Sequence, residues 1–323
     1  MSEIETTEHR VPSTLQGLNL LVRNKHLRGR SDFGPGGTLL CVHGATYPAT
    51  VTFDYPVEGR SWLDLLAAQG FDAWCVDLLG YGGSDRPAAM EGDPMAAEPL
   101  VDTGQAAADV AQVVDYILAE RGLGQLGLLG YSWGTAIGGT VAGRMPEKIA
   151  RLVLYGALWL GAGRLVPPDQ KLGAYRLVDA DAAAARWVQN LSDQQIEAIV
   201  PAGLIRAWAE AAVASDPASA SREPRMLRAP TGVIKDVRAL QQDGTAMYDP
   251  GLIRCPTMIV VGEWDQETTP AQGREVFDRL AAAAERRYVV LGRGTHTMLL
   301  EKQRHHLHAC VAGFLKEGWQ GAA

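Results

Sequence analysis

The segment that most limits how this chain can fold is Leu126–Gly143, LGLLGYSWGTAIGGTVAG, eighteen residues without a formal charge. That length approaches a bilayer span, yet six of the eighteen are glycine, and Ser132 and Thr135 interrupt the apolar run. A turn signal at Gly130 divides the segment into a buried strand, Leu126–Leu129, a sharp turn, and a packed helix from about Trp133 to Arg144. No membrane span is expected. Gly130-Tyr131-Ser132-Trp133-Gly134 then sits at a strand-to-helix junction. There a serine is held in strained backbone geometry, the glycines permit close packing, and the helix N-terminus points at the serine. The backbone N–H of Trp133 is placed to donate to a developing oxyanion.

The flanking sequence supplies a sheet for this junction. Short β-prone runs at Thr38–Val42, Phe71–Val76, Leu152–Tyr155, Thr257–Val261 and Tyr288–Leu291 alternate with helical patterns at Trp62–Gln69, Thr103–Arg121, Ala271–Leu280 and Lys302–Lys316. Such alternation predicts an α/β fold with a mostly parallel sheet and helices on both faces. Two weaker strands are expected ahead of it, Val11–Leu15 and Leu18–Leu27. Between Leu158 and Tyr248 the rhythm breaks into Ala-rich helical pieces at Asp181–Gln189, Asp193–Ile199 and Ile205–Ala214, punctuated by Pro167, Pro168, Pro201 and Pro217. With no strand-like run among them, residues 158–248 are expected to be a helical cap inserted between core segments 1–157 and 249–323.

Charge narrows the partners. Thirty Lys and Arg against thirty-seven Asp and Glu give −7, with no basic stripe, which argues against a nucleic-acid partner. The cap is balanced at ten of each sign, so the acidic excess lies on the core. Met1–Arg10 carries Glu3, Glu5 and Glu8 and no apolar run, so neither a secretory signal nor a transit peptide is expected, and the cytoplasm is the default expectation. Cys41, Cys75, Cys255 and Cys310 are far apart in sequence, and the first three lie in or beside apolar runs, so neither a disulfide framework nor a zinc site is expected.

A serine hydroxyl needs a base, and the base needs an orienting group. Of seven histidines, His296 lies in a Gly-rich loop, Gly292-Arg293-Gly294-Thr295-His296, just beyond the last strand. Sites in open α/β sheets are built from such loops. For the orienting carboxylate, Gly262-Glu263-Trp264-Asp265 follows another strand; Asp265, deeper in the loop, is favoured over Glu263, which is expected to pair locally. The order Ser132, Asp265, His296 is that of the nucleophile-elbow hydrolases.

These residues, with His43-Gly44 after one strand and Asp77-Leu78-Leu79-Gly80-Tyr81-Gly82-Gly83-Ser84 after the next, resemble the α/β-hydrolase fold superfamily over nearly the whole chain. The resemblance implies an eight-stranded, mostly parallel sheet and a cofactor-free, metal-free mechanism. It implies that the residue after His43-Gly44 gives a second oxyanion N–H, which is Ala45, with Thr46 as an alternative. It also implies that His43 is structural and that the glycines after Asp77 serve backbone geometry. Dehalogenases and epoxide hydrolases of this fold carry Asp at the elbow, so Ser132 directs the expectation to acyl transfer: a serine hydrolase acting on a small or medium carboxylic ester. An amide, lactone or carbon–carbon bond handled by the same residues is the alternative, and a non-catalytic ligand receptor is a third.

Further candidates are weaker. Thr46, Tyr131, Trp159, Trp187 and Trp208 are candidate pocket residues, although Trp in a helical insertion equally serves core packing. Arg222, Arg225 and Arg228 suit recognition of a substrate carboxylate. His305, His306 and His308 diverge around a helix and lack the company a metal site needs.

Overall fold

The computed structural model describes residues 3–159, 167 and 169–317; Pro168 lies outside them. Ten strands are present among these residues: β1 Ile4–Pro12, β2 Asn19–Leu27, β3 Thr38–Val42, β4 Asp72–Asp77, β5 Leu126–Tyr131, β6 Ile149–Tyr155, β7 Tyr175–Asp179, β8 Met226–Pro230, β9 Thr257–Gly262 and β10 Arg286–Leu291. Eight of them form one sheet in the order β1-β2-β4-β3-β5-β6-β9-β10. Only the β1–β2 and β2–β4 pairings are antiparallel, so β2 alone runs against the rest. The middle strands β3, β4, β5 and β9 are buried along their whole length. Such strands are covered on both faces, which is why they read as continuous apolar runs.

Alternation along each strand divides the core into two layers. On one face Leu40, Val42, Trp74, Val76 and Leu128 pack against Val110, Val113 and Ile117 of α2 (Thr103–Arg121) and Ile137 of α3 (Trp133–Arg144). On the other, Leu39, Cys41, Ala73, Cys75 and Leu129 pack against Leu63 and Leu66 of α1 (Trp62–Ala68) and Leu307, Val311 and Phe314 of a C-terminal helix, Arg304–Lys316. Adjacent residues point to opposite faces, so one pentapeptide, TLLCV, serves both layers. The ends are marked locally: Ser61 and Asp64 form a capping box on α1, and Gly122 ends α2 at a left-handed φ of 63°. Among the described residues no helix is long and apolar enough to cross a membrane.

Two sequence expectations need correction. The first strand is Ile4–Pro12, not Val11–Leu15, because an exposed antiparallel edge alternates polar residues and offers no apolar run to detect. The segment between β6 and β9 does contain strands: β7 and β8 pair antiparallel, Tyr175 opposite Pro230 and Asp179 opposite Met226. Each carries an arginine in its five residues, which hid the strand pattern; Arg228 is buried only because Asp216 meets its Nε at 2.9 Å and its Nη2 at 2.8 Å. The same insert holds α4 (Ala180–Trp187), α5 (Asp193–Ile199), α6 (Leu204–Ala214) and a further helix, α7 (Gly232–Asp243), that the sequence reading left unassigned.

Candidate active site

The turn between β5 and α3 puts Ser132 at φ 55° and ψ −119°, a conformation L residues rarely adopt. The surrounding packing holds it there. A Cβ on Gly130 would stand 2.1 Å from the carbonyl oxygen of Gly134, and one on Gly134 would stand 2.2 Å from that of Val42. Neither backbone atom can yield, so glycine is required at both positions. The Ser132 N–H donates to the Tyr155 carbonyl at 2.9 Å. Trp133 is the first residue of α3, so its N–H has no acceptor within the helix; its indole is buried and donates to Thr103 Oγ1 at 2.9 Å.

Opposite lies the turn after β3. His43 is fully buried, with Nδ1 on the Gly44 carbonyl at 2.7 Å and Nε2 accepting from the Leu78 N–H at 3.0 Å. Burial lowers its pKa to about 4, so it is neutral and both nitrogens are occupied by backbone. It holds the turn in shape. Ala45 and Thr46 follow at the cavity wall beside Ser132.

After β9, Asp265 is almost fully buried. Its Oδ1 accepts from the N–H groups of Glu267 (2.9 Å) and Thr268 (2.8 Å), and its Oδ2 accepts from Thr268 Oγ1 (2.9 Å) and faces His296 Nδ1 at 2.8 Å. Glu263 instead accepts from the Arg293 N–H at 2.9 Å. The His296 carbonyl is fixed by the phenols of Tyr131 (3.1 Å) and Tyr155 (2.8 Å). Burial opposes charge on the imidazole, but the carboxylates of Asp265 and Glu267 outweigh it and raise the His296 pKa above the usual 6.5. His296 and Ser132 line the same two cavities.

Those cavities differ. The larger, about 590 Å³, is bounded by Ala45, Trp133, Leu158, Val233 and Trp264 together with Arg176 and Arg186. The smaller, about 40 Å³, is bounded by Thr46, Tyr131, Val51, Trp187, Trp208 and Leu299. Of the sequence-predicted pocket residues, Thr46, Tyr131, Trp187 and Trp208 therefore reach the site. Trp187 and Trp208 also stack edge to face at 5.2 Å, so they pack and line at once. Trp159 lines neither cavity; it packs edge to face on Tyr248 at 5.3 Å, with Arg279 over its ring. Arg222, Arg225 and Arg228 are absent from both linings as well, and Arg228 spends its donors on Asp216 and the Met90 carbonyl. His305 and His306 are exposed while His308 turns inward to stack on Trp62 at 4.5 Å.

Several residues at the site escaped sequence reading. Glu267 Oε2 lies 4.0 Å from His296 Nε2 and pairs with Arg186 of α4. Glu301, fully buried, accepts from the Thr295 N–H at 3.1 Å and from the indole of Trp187 at 3.1 Å, joining the histidine loop to the insert. Arg176 of β7 donates to the Ala45 carbonyl at 2.9 Å and to Thr46 Oγ1 at 2.7 Å. Only Glu267 had a local signal, its place two residues after Asp265. The arginines reach the site through the fold of the insert.

Comparison with known proteins agrees with this architecture. No curated protein matches the chain in sequence. Among solved structures, a hydrolase from Pseudomonas aeruginosa is 19% identical, with a TM-score of 0.65 over 96% of this chain and 98% of that one. A serine hydrolase involved in carbazole degradation is 15% identical, with a TM-score of 0.63 over 97% and 100%. The enol-lactonase from Burkholderia xenovorans is 18% identical, with a TM-score of 0.62 over 96% and 100%. At such identities the likeness is one of fold. The sequence itself matches the family described as alpha/beta hydrolase fold across residues 37–303, and the chain belongs to that family.

Proposed function

We propose that this chain is a serine hydrolase that cleaves a small or medium carboxylic ester through an acyl-enzyme. The observation that carries the reading is the strained Ser132 opening onto a cavity it shares with His296, whose Nδ1 is held 2.8 Å from Asp265. In this reading His296 Nε2 takes the Ser132 proton as Oγ attacks the ester carbonyl. The N–H groups of Ala45 and Trp133 receive the oxyanion, and Asp265 steadies the imidazolium that forms. His296 then returns its proton to the departing alcohol. Water, deprotonated by the same imidazole, attacks the acyl group, and the acid leaves as Ser132 regains its proton. The insert, residues 158–248, serves as the cap that bounds the substrate, with Trp187 and Trp208 on the apolar side and Arg176 and Arg186 on the polar side.

The test is labelling and turnover. A fluorophosphonate probe is expected to modify the wild-type protein at Ser132, and p-nitrophenyl esters of two- to six-carbon acids are expected to give a burst of nitrophenol. Ser132→Ala is expected to lose both while retaining its thermal unfolding transition. Undiminished ester turnover by Ser132→Ala sinks the mechanism.

A further inference from the structure

Arg176 is a cation in the wall of the cavity that Ser132 and His296 share. Its guanidinium donates to three neutral acceptors, the Ala45 carbonyl (2.9 Å), Thr46 Oγ1 (2.7 Å) and the Pro230 carbonyl (3.2 Å), and among the described residues no carboxylate forms an ion pair with it. The neighbouring Arg186 also donates to Thr46 Oγ1, at 3.1 Å. Two guanidinium groups thus meet on one hydroxyl, and Glu267 forms a bidentate pair with Arg186. Of the other carboxylates at the site, Asp265 is committed to His296 and Thr268, and Glu301 to Thr295 and Trp187.

This arrangement is costly unless something completes it. A guanidinium cannot shed its proton, and holding one away from bulk water beside a like charge is unfavourable without an anion. Burial works against the Arg176 charge and the adjacent Arg186 adds to the penalty, while Tyr81, Tyr47 and Glu267 offset only part of it. The contrast with Arg228 is informative: that arginine, on the facing strand β8, is more deeply buried but is answered by Asp216 on two nitrogens. The same small sheet therefore balances the arginine that faces away from the cavity and leaves unbalanced the one that lines it. Three of the five Arg176 N–H groups are used in the bonds above, one on Nη1 and two on Nη2, which leaves the Nε–H and one Nη1–H to donate to a further acceptor.

We infer that Arg176 is the anchor for a carboxylate carried by the substrate, so that the ester cleaved at Ser132 is the monoester of a short dicarboxylic acid or a close relative. This rests on the serine-hydrolase reading for the reaction, but not for the binding. Because Arg176 grips the Ala45 carbonyl itself, the carboxylate sits only a few bonds from the scissile carbonyl. Leu158, Val233, Ile234 and Val237 provide an apolar wall for the remainder of the molecule. Arg176 is a specificity residue in this account and also steadies the Ala45–Thr46 turn, so the informative quantity is a ratio within each protein and not an absolute rate.

The experiment compares mono-p-nitrophenyl glutarate with p-nitrophenyl valerate, which share a leaving group and a five-carbon acyl chain. Wild type is expected to favour the glutarate in kcat/KM by about tenfold to a hundredfold, the range for a charge-assisted hydrogen-bonded pair. Arg176→Gln should bring the ratio near one, and Arg176→Lys should keep part of it. A wild-type ratio of one or less, or an Arg176→Gln protein that loses both esters equally, overturns the proposal. Binding is read separately by calorimetry of monomethyl glutarate and methyl valerate on Ser132→Ala. Glutarate binding that disappears in Ser132→Ala/Arg176→Gln supports the anchor even where neither ester turns over, an outcome that sinks the ester reading alone. No preference for the glutarate in binding overturns the anchor itself.

Discussion

Replacing Asp265 by Asn separates the charge of the carboxylate from its shape, and the hydrogen bonds fix how the amide must sit. Oδ1 accepts from two backbone N–H groups, those of Glu267 and Thr268, and only the amide oxygen can take that place. The NH2 group is therefore forced into the position of Oδ2, facing His296 Nδ1 and Thr268 Oγ1. Its two protons find acceptors there, since the Thr268 hydroxyl can reverse and the imidazole can present a bare Nδ1. Every polar group stays satisfied, so unfolding free energy is expected to change by less than about 1 kcal/mol. Catalysis by the mechanism proposed above is not spared. A bare Nδ1 obliges the proton onto Nε2, the nitrogen that must accept from Ser132, and the imidazolium loses its counter-charge. A loss of about 10⁴-fold in kcat is expected, equivalent to about 5.5 kcal/mol of activation free energy. The pH profile adds a second signature. The His296 pKa is raised above 6.5, so the acid limb of wild-type activity lies above 6.5, because the neutral base is lost as pH falls through that value. In Asp265→Asn the limb should move down. Steady-state hydrolysis of p-nitrophenyl butyrate from pH 5.5 to 9, with thermal unfolding of both proteins, reads rate, limb and stability together. A loss smaller than about tenfold in a stably folded variant would falsify the assigned role.

Two further outcomes follow from packing and burial. Gly134→Ala sets a Cβ 2.2 Å from the Val42 carbonyl oxygen and 2.7 Å from that of His43, and is expected to cost about 3 kcal/mol or more in urea unfolding; an unchanged midpoint contradicts the packing argument. His308 is neutral, with burial lowering its pKa to about 3, and neither ring nitrogen has a hydrogen-bond partner among the described residues. Its folded value lies below the unfolded 6.5, so the unfolded chain takes up the proton first and stability drains as pH falls from 6.5 towards 3. His308→Phe keeps the stack on Trp62 and removes the titration, so its stability advantage should grow on acidification over that window; parallel pH dependence of the two proteins counts against the assignment.

Much of the site was legible because its residues sit at fixed offsets from strand ends. Ser132, Asp265 and His296 each follow a strand of the parallel sheet, and parallel strands deliver their following loops to one edge. The glycines beside Ser132 were equally legible, since strand, tight turn and helix leave no room for a Cβ. The insert was legible as an interruption only. Its strands β7 and β8 are short and carry arginines, and their pairing spans about fifty residues of intervening chain, so no local pattern announces them.

The three arginines singled out in sequence for recognition of a substrate carboxylate, Arg222, Arg225 and Arg228, stand close together in the chain, but Asp216 claims Arg228 from twelve positions away. Arg176 and Arg186 have no such grouping and nonetheless meet on Thr46. Trp159 and Trp187 likewise look alike as isolated apolar residues; one packs on Tyr248 and the other lines the cavity while bonding Glu301. By itself the sequence determined the sheet, the strained turn at Ser132 and the placement of Asp265 and His296 after later strands, because backbone periodicity and turn sterics act over a few residues. Which side chains of the insert share a cavity with Ser132, and which arginine there has no ion pair among the described residues, was decided only by tertiary structure, because long-range packing and ion pairing select partners that local sequence does not encode.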